Sequence, residues 1–128
     1  LDEASELVRR AAARLDGRIP VIAGSGTNAT ATTIARTRRL AEAGADAVLV
    51  VTPYYNRPTQ EGLYRHYVAV AEAAAVPVIL YNVPARTGVD LLPETVERLA
   101  VHPRIVALKE ATGSLQRLAE LQQRCGDE

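Results

Sequence analysis

Apolar positions along this chain follow two alternating rhythms. Leu7, Val8, Ala11 and Leu15 recur three or four residues apart, which predicts an amphipathic helix over residues 2–15 with Gly17 as its left-handed stop. Short continuous apolar runs then alternate with helix-period stretches. The run Ile19–Ala23 precedes a helix from about Thr30 to Ala43, and Ala47–Val51 precedes a helix over Gln60–Ala74 with Leu63, Tyr67, Val70 and Ala71 facing inward. Val78–Tyr81 leads to a helix from Pro93 to about Ala100, and Ile105–Lys109 leads to a last helix capped by Ser114 and carrying Leu115, Leu118 and Leu121. The runs lack the alternation of a half-wet sheet, so they predict parallel strands covered on both faces. Four βα units behind a leading helix predict an α/β fold with right-handed crossovers, in one domain without linker or low-complexity tract. The pattern suits an eight-stranded barrel and a doubly wound open sheet alike, and either fold gathers chemistry at the carboxyl ends of its strands.

The unusual residues stand at those ends. Strand alternation predicts Ile105, Ala107 and Lys109 on one face, with Lys109 leaving a buried strand from its last residue. An amine there loses hydration, which favours the neutral form that attacks carbonyls, whereas a lysine that merely snorkels to water would stay charged. Tyr81 holds the matching place on the preceding strand. Arg86, five residues on, offers a planar fork suited to a carboxylate. In the loop T-P-Y-Y-N-R-P, Tyr54 and Tyr55 must point in different directions, so one can face a site and the other a partner.

Composition narrows the function classes. With 128 residues and a formal net charge of zero, the chain has enough length for a core and no electrostatic pull toward nucleic acid or anionic membrane. No apolar run approaches a bilayer span. The single Cys125 cannot form an internal disulfide, which fits a reducing cytoplasm. The chain opens without Met on an apparent helix and ends as abruptly, so it is expected to be a segment of a longer polypeptide.

Gly24-Ser25-Gly26-Thr27-Asn28-Ala29 matches a dinucleotide fingerprint, with Asp46 at nearly the expected distance. The ribose-binding acid belongs at the end of the next strand, however, and Asp46 precedes Ala47–Val51, so a tight βα turn is the better reading. An anion cradle on the amides before Thr30 is the alternative. His66 and His102 lack the Cys, His or carboxylate company of a metal site, and Ser25 and Ser114 lack a His-acid pairing.

Four segments, V-I-A-G-S-G-T-N-A-T, T-P-Y-Y-N-R-P-T-Q-E-G-L-Y, L-Y-N-V-P-A-R-T-G and I-V-A-L-K-E-A-T-G, in this order and spacing resemble the dihydrodipicolinate (4-hydroxy-tetrahydrodipicolinate) synthase family of pyruvate-dependent Schiff-base aldolases and lyases. The resemblance implies a (β/α)8 TIM barrel, of which residues 1–128 would be a central segment, and a reaction in lysine and diaminopimelate biosynthesis that needs no metal or organic cofactor. It implies that Lys109 condenses with pyruvate, that Tyr81 relays protons, and that Arg86 holds the carboxylate of aspartate semialdehyde. Tyr55 would enter the neighbouring subunit's site and Tyr54 would lie at a tight-dimer interface, in a homo-oligomer built as a dimer of dimers. Tyr54 and Asn28 also fit a lysine effector site, whereas Ala4 and Thr32 depart from the lysine-sensitive pattern.

A Thr-Thr-Gly segment that links the two tyrosines in the family would lie upstream of Leu1. Sialic-acid-type and keto-deoxy sugar acid aldolases of the same superfamily share the lysine and tyrosine but usually not an arginine at this place, so they form the alternative reading. A catalytically silent half-barrel is the third. Half a barrel leaves two parallel edges unpaired, so the isolated chain is expected to fold poorly and to lack activity.

Overall fold

The computed structural model describes residues 2–126. Helix α1 (Asp2–Leu15) leads into four parallel strands, each followed by a helix. In order these are β1 (Ile22–Gly24), α2 (Thr30–Glu42), β2 (Ala47–Val51), α3 (Gln60–Ala73), β3 (Val78–Asn82), the short α4 (Pro84–Thr87), α5 (Pro93–Ala100), β4 (Ile105–Glu110) and α6 (Leu115–Cys125). Among the described residues, two helices start at side-chain caps: Thr59 accepts from the Gly62 amide, and Ser114 accepts from the Arg117 amide. Helix α4 was not expected from the sequence. Pro84 pre-sets its first turn and Gly88, at φ 75°, ends it after four residues, too few for any apolar period to register.

The first strand is shorter than the run Ile19–Ala23 predicts. Pro20 has no amide to give a ladder. The Val21 amide instead donates to the Asp46 carboxylate at 2.7 Å, and pairing begins only at Ile22 opposite Ala47. Asp46 is thus committed to the start of β2.

Strand order is β1-β2-β3-β4, with every neighbour parallel and no reversal. A doubly wound sheet needs a reversal of order, and this sheet winds in one direction only. Its helix-covered face carries Val48, Val50, Val78 and Leu80, all buried against Leu63, Tyr67 and Val70 of α3 and Val96 and Leu99 of α5. Each such apolar side chain contributes about 1.5–3 kcal/mol on burial. Tyr67 adds a directional bond, since its buried hydroxyl donates to the Val50 carbonyl at 3.1 Å; burial pushes its phenol far above the ordinary range. A second small cluster of Ala23, Leu40 and Ala45 seats Ala4 and Val8 of α1.

Expected burial of the strands on both faces is not met. Leu49, Val51, Ile79 and Tyr81, on the other face, are half-buried, and Val106 of β4 is 50% exposed. Four strands curve without closing, so nothing among the described residues covers that face.

Strand β4 also corrects the predicted alternation. Val78 pairs with Ile105 but Ile79 pairs with Ala107, so Val106 is an extra residue on β4. This irregularity moves Ile105 to the helix-covered face, where it is buried, and leaves Ala107 and Lys109 on the open one. Without it, Lys109 would share a face with Ile105.

His66, on α3, closes the gap to α2. Its Nδ1 lies 2.9 Å from the Thr30 hydroxyl, its ring meets Tyr67 edge-on at 5.3 Å, and its buried Nε2 has no hydrogen-bond partner among the described residues. Burial pushes its pKa down from 6.5 to about 4. The unfolded chain therefore binds this proton more readily than the fold does, and stability falls as pH drops through that interval and is full above it. Urea unfolding across this pH range is expected to show the decline, and His66→Gln is expected to remove His66's share of it.

Candidate active site

The ends of β3 and β4 bring two of the predicted residues side by side. Tyr81 and Lys109 are register partners on the open face, and the Lys109 Nζ lies 4.3 Å from the centre of the Tyr81 ring. That is cation–π distance. Lys109 is also the only lysine in the chain: the other fourteen of its fifteen basic residues are arginines. Salt bridging and surface solubility are served here by guanidinium groups, and the one primary side-chain amine of the chain stands at this strand end. This compositional signal was legible in the sequence but was missed.

The water-poor environment expected for Lys109 is not supplied by these residues. The side chain is exposed, because the open face of a four-stranded sheet leaves it beside solvent.

Next to this pair lies a cavity of about 400 Å³ whose lining includes Val51, Tyr54, Tyr81 and Arg86. Arg86 reaches it from α4, whose single turn lifts the chain off the end of β3; its amide donates to the Val83 carbonyl at 2.9 Å. The guanidinium side chain is exposed.

The loop between β2 and α3 separates its two tyrosines. Tyr54 lines the cavity, whereas Tyr55 is 89% exposed and adopts φ 74°, a left-handed conformation uncommon for an aromatic residue. Its amide is fixed on the Thr87 carbonyl at 3.1 Å. The neighbouring Asn56 donates from its side chain to the Asn28 carbonyl at 2.8 Å, so the loops after β1 and β2 are fastened together and Asn28 stands close to the tyrosine pair.

Packing explains the glycine-rich stretch after β1. A Cβ on Gly26 would lie 2.5 Å from the Val51 nitrogen, so only glycine permits this approach of loop to strand. Ser25 is fully buried and accepts from the Thr37 hydroxyl at 2.8 Å. The amides of Thr27 and Ala29 donate to the hydroxyls of Thr33 and Thr27, so donors that an anion would need are already engaged.

Sequence reasoning also missed a polar cluster on the opposite side of the same strand ends. Asn82, fully buried, donates through Nδ2 to Asp90 at 2.8 Å and Glu110 at 3.0 Å. Arg117 grips Asp90 with two nitrogens, at 3.0 and 2.7 Å. The hydrogen bond from Arg117 holds the Asp90 carboxyl below its ordinary range, and Asp90 in turn raises Arg117. The members come from β3, β4, α6 and the segment before α5, and no local pattern ties them together. Only the placement of polar residues directly after Tyr81 and Lys109 hinted at it.

A further cavity of about 410 Å³ opens between β4 and helices α5 and α6, lined mainly by apolar residues such as Val96, Ile105, Val106 and Leu121. It contains none of Tyr81, Arg86 and Lys109.

Comparison with known proteins adds to this geometry. A family described as the dihydrodipicolinate synthetase family matches residues 1–128. A 4-hydroxy-tetrahydrodipicolinate synthase of Geobacter sulfurreducens is 60% identical over 127 residues, covering 99% of this chain and 44% of the relative. One from Methylococcus capsulatus is 61% identical over 124 residues, 97% of this chain and 43% of the relative.

Among solved structures, the chloride-inhibited dihydrodipicolinate synthase of Acinetobacter baumannii, complexed with pyruvate, superposes with a TM-score of 0.95 at 50% identity, over 98% of this chain and 43% of that one. The Thermotoga maritima enzyme gives 0.94 at 45% identity, over 97% and 42%. The chain spans less than half the length of the curated relatives it matches. Its four βα units are part of a (β/α)8 barrel, which decides between the two architectures the sequence pattern allowed.

Proposed function

The chain belongs to the dihydrodipicolinate synthetase family, and from that premise we propose that it supplies a central part of the barrel, with the reactive amine, of an enzyme that condenses pyruvate with aspartate semialdehyde. The observation that carries this reading is the Lys109 amine over the Tyr81 ring, at matched strand ends beside the cavity that Arg86 lines. Lys109 attacks the pyruvate carbonyl, and loss of water leaves an imine. The imine gives up a methyl proton to become an enamine, whose carbon bonds to the aldehyde carbon of the second substrate while the aldehyde oxygen takes a proton. The amine of that substrate then attacks the imine carbon, and the ring closes as Lys109 leaves to give 4-hydroxy-tetrahydrodipicolinate.

Each residue has a chemical reason for its part. The tyrosine hydroxyl can both donate and accept while uncharged near neutrality, which suits Tyr81 to proton transfer at the imine. Arg86 presents a fork to the semialdehyde carboxylate. Tyr55, exposed and outside the lining of its own chain's cavity, suits a role in a neighbouring subunit's relay, with Tyr54 and Asn28 near the contact and near an effector site. These roles require the remaining strands of the barrel, which would cover the open face and remove water from Lys109, and they suit a cytoplasmic homo-oligomer of the dimer-of-dimers kind. Among the described residues no helix is long and apolar enough to cross a membrane.

Treating the full-length protein with pyruvate and borohydride is expected to leave a reduced adduct on Lys109, located by peptide mass. An adduct on no lysine would remove the reading in favour of a silent half-barrel. Arg86→Ala is expected to cut turnover with aspartate semialdehyde by about a hundredfold, the scale for losing a charge-assisted bidentate contact, while leaving pyruvate trapping intact. Turnover of a sugar acid that Arg86→Ala leaves unchanged would instead favour the sialic-acid-type lyases.

A further inference from the structure

We propose that Glu110 and its partners Asn82, Asp90 and Arg117 form a positioning device that fixes the face from which Lys109 emerges. This rests on the role given to Lys109 above. The need for such a device arises in the ladder between β3 and β4, which is irregular where Val106 is inserted. A pairing that already contains one extra residue can slip by another, and a slip of one residue carries every side chain to the other face. Lys109 would then point among the helices and Glu110 into the open bowl.

The run over residues 105–108 is apolar on both faces, so its own pattern distinguishes the two registers poorly. Directional bonds do not survive a slip. Asn82 and Glu110 are register partners on the helix-covered face, one residue beyond Tyr81 and Lys109. The Asn82 amide bonds Glu110 at 3.0 Å and Asp90 at 2.8 Å, and its own oxygen accepts from the Leu91 amide at 3.0 Å. The second oxygen of Glu110 accepts from the Thr112 amide at 2.7 Å, pinning the turn that follows the strand. Arg117 closes the cluster from α6, forked on Asp90 and 4.0 Å from Glu110.

The Glu110 and Arg117 side chains are only 10% and 17% exposed, so these bonds act with little competition from water. None of the four lines the cavity beside Lys109, so they act through the backbone and not on substrate.

The test is the rate constant for borohydride trapping of pyruvate on Lys109 in the full-length protein, measured together with the fraction of sites finally trapped. Glu110→Ala is expected to lower the rate constant by about tenfold to a hundredfold, the scale for a misplaced reacting group, while the trapped fraction stays at the wild-type level. Glu110→Gln keeps one of the two acceptors and is expected to fall between wild type and Glu110→Ala. A wild-type rate constant in Glu110→Ala with a reduced trapped fraction would overturn the proposal, since that is the signature of a residue needed only for folding.

Should Glu110→Ala not fold, Arg117→Lys, which keeps the charge but loses the fork, carries the same expectation and the same contrary outcome. Absence of any adduct on Lys109 in the wild-type protein would instead overturn the function proposed above, and this inference with it.

Discussion

The pairing of β3 with β4 governs what this chain can do. Parallel register sets Tyr81 opposite Lys109, and their side chains meet on the face of the sheet that the helices leave open. Everything else in the fold serves that juxtaposition. Tyr67 and the valines and leucines of β2, β3 and α3 hold the sheet against its helices, and the inserted Val106 turns the end of β4 so that its amine faces the open side. A polar cluster behind the strand ends then keeps the register from moving.

The two faces of the sheet divide the labour. On the helix side, apolar residues and a satisfied polar cluster supply rigidity. On the open side, partly exposed Leu49, Val51, Ile79 and Tyr81 and the exposed Lys109 await cover. A barrel interior is filled by side chains from all its strands, so the desolvation that the proposed imine chemistry needs would come from the closed barrel. The present residues contribute an amine, a phenol and a guanidinium at neighbouring strand ends. They do not contribute the dryness.

Much of this was legible in the sequence because it depends on short-range pattern. Apolar runs of strand length between helix-period stretches gave the four units, and the Pro93 and Ser114 signals located helix starts correctly. The misses came from interactions between distant residues. Strand β1 begins late because of a bond from Val21 to Asp46, and the face of Lys109 depends on an irregular pairing with β3 that alternation within β4 cannot reveal. Burial of both sheet faces was inferred from run composition, which reports the closed barrel and not the open sheet that four strands form. The Asn82 cluster was invisible for the same reason as the irregularity: its members meet only after the crossovers are made.

The side-chain resonances of Lys109, assigned in the full-length protein by their loss in Lys109→Arg, give the most direct reading of the central juxtaposition. Lysine labelled with carbon-13 should show ε-methylene protons shifted upfield by the Tyr81 ring current, with the shift lost in Tyr81→Leu. Signals at the position of a free lysine, unaltered by Tyr81→Leu, would mean that the amine and the phenol do not share a face, and the account of this site would fail.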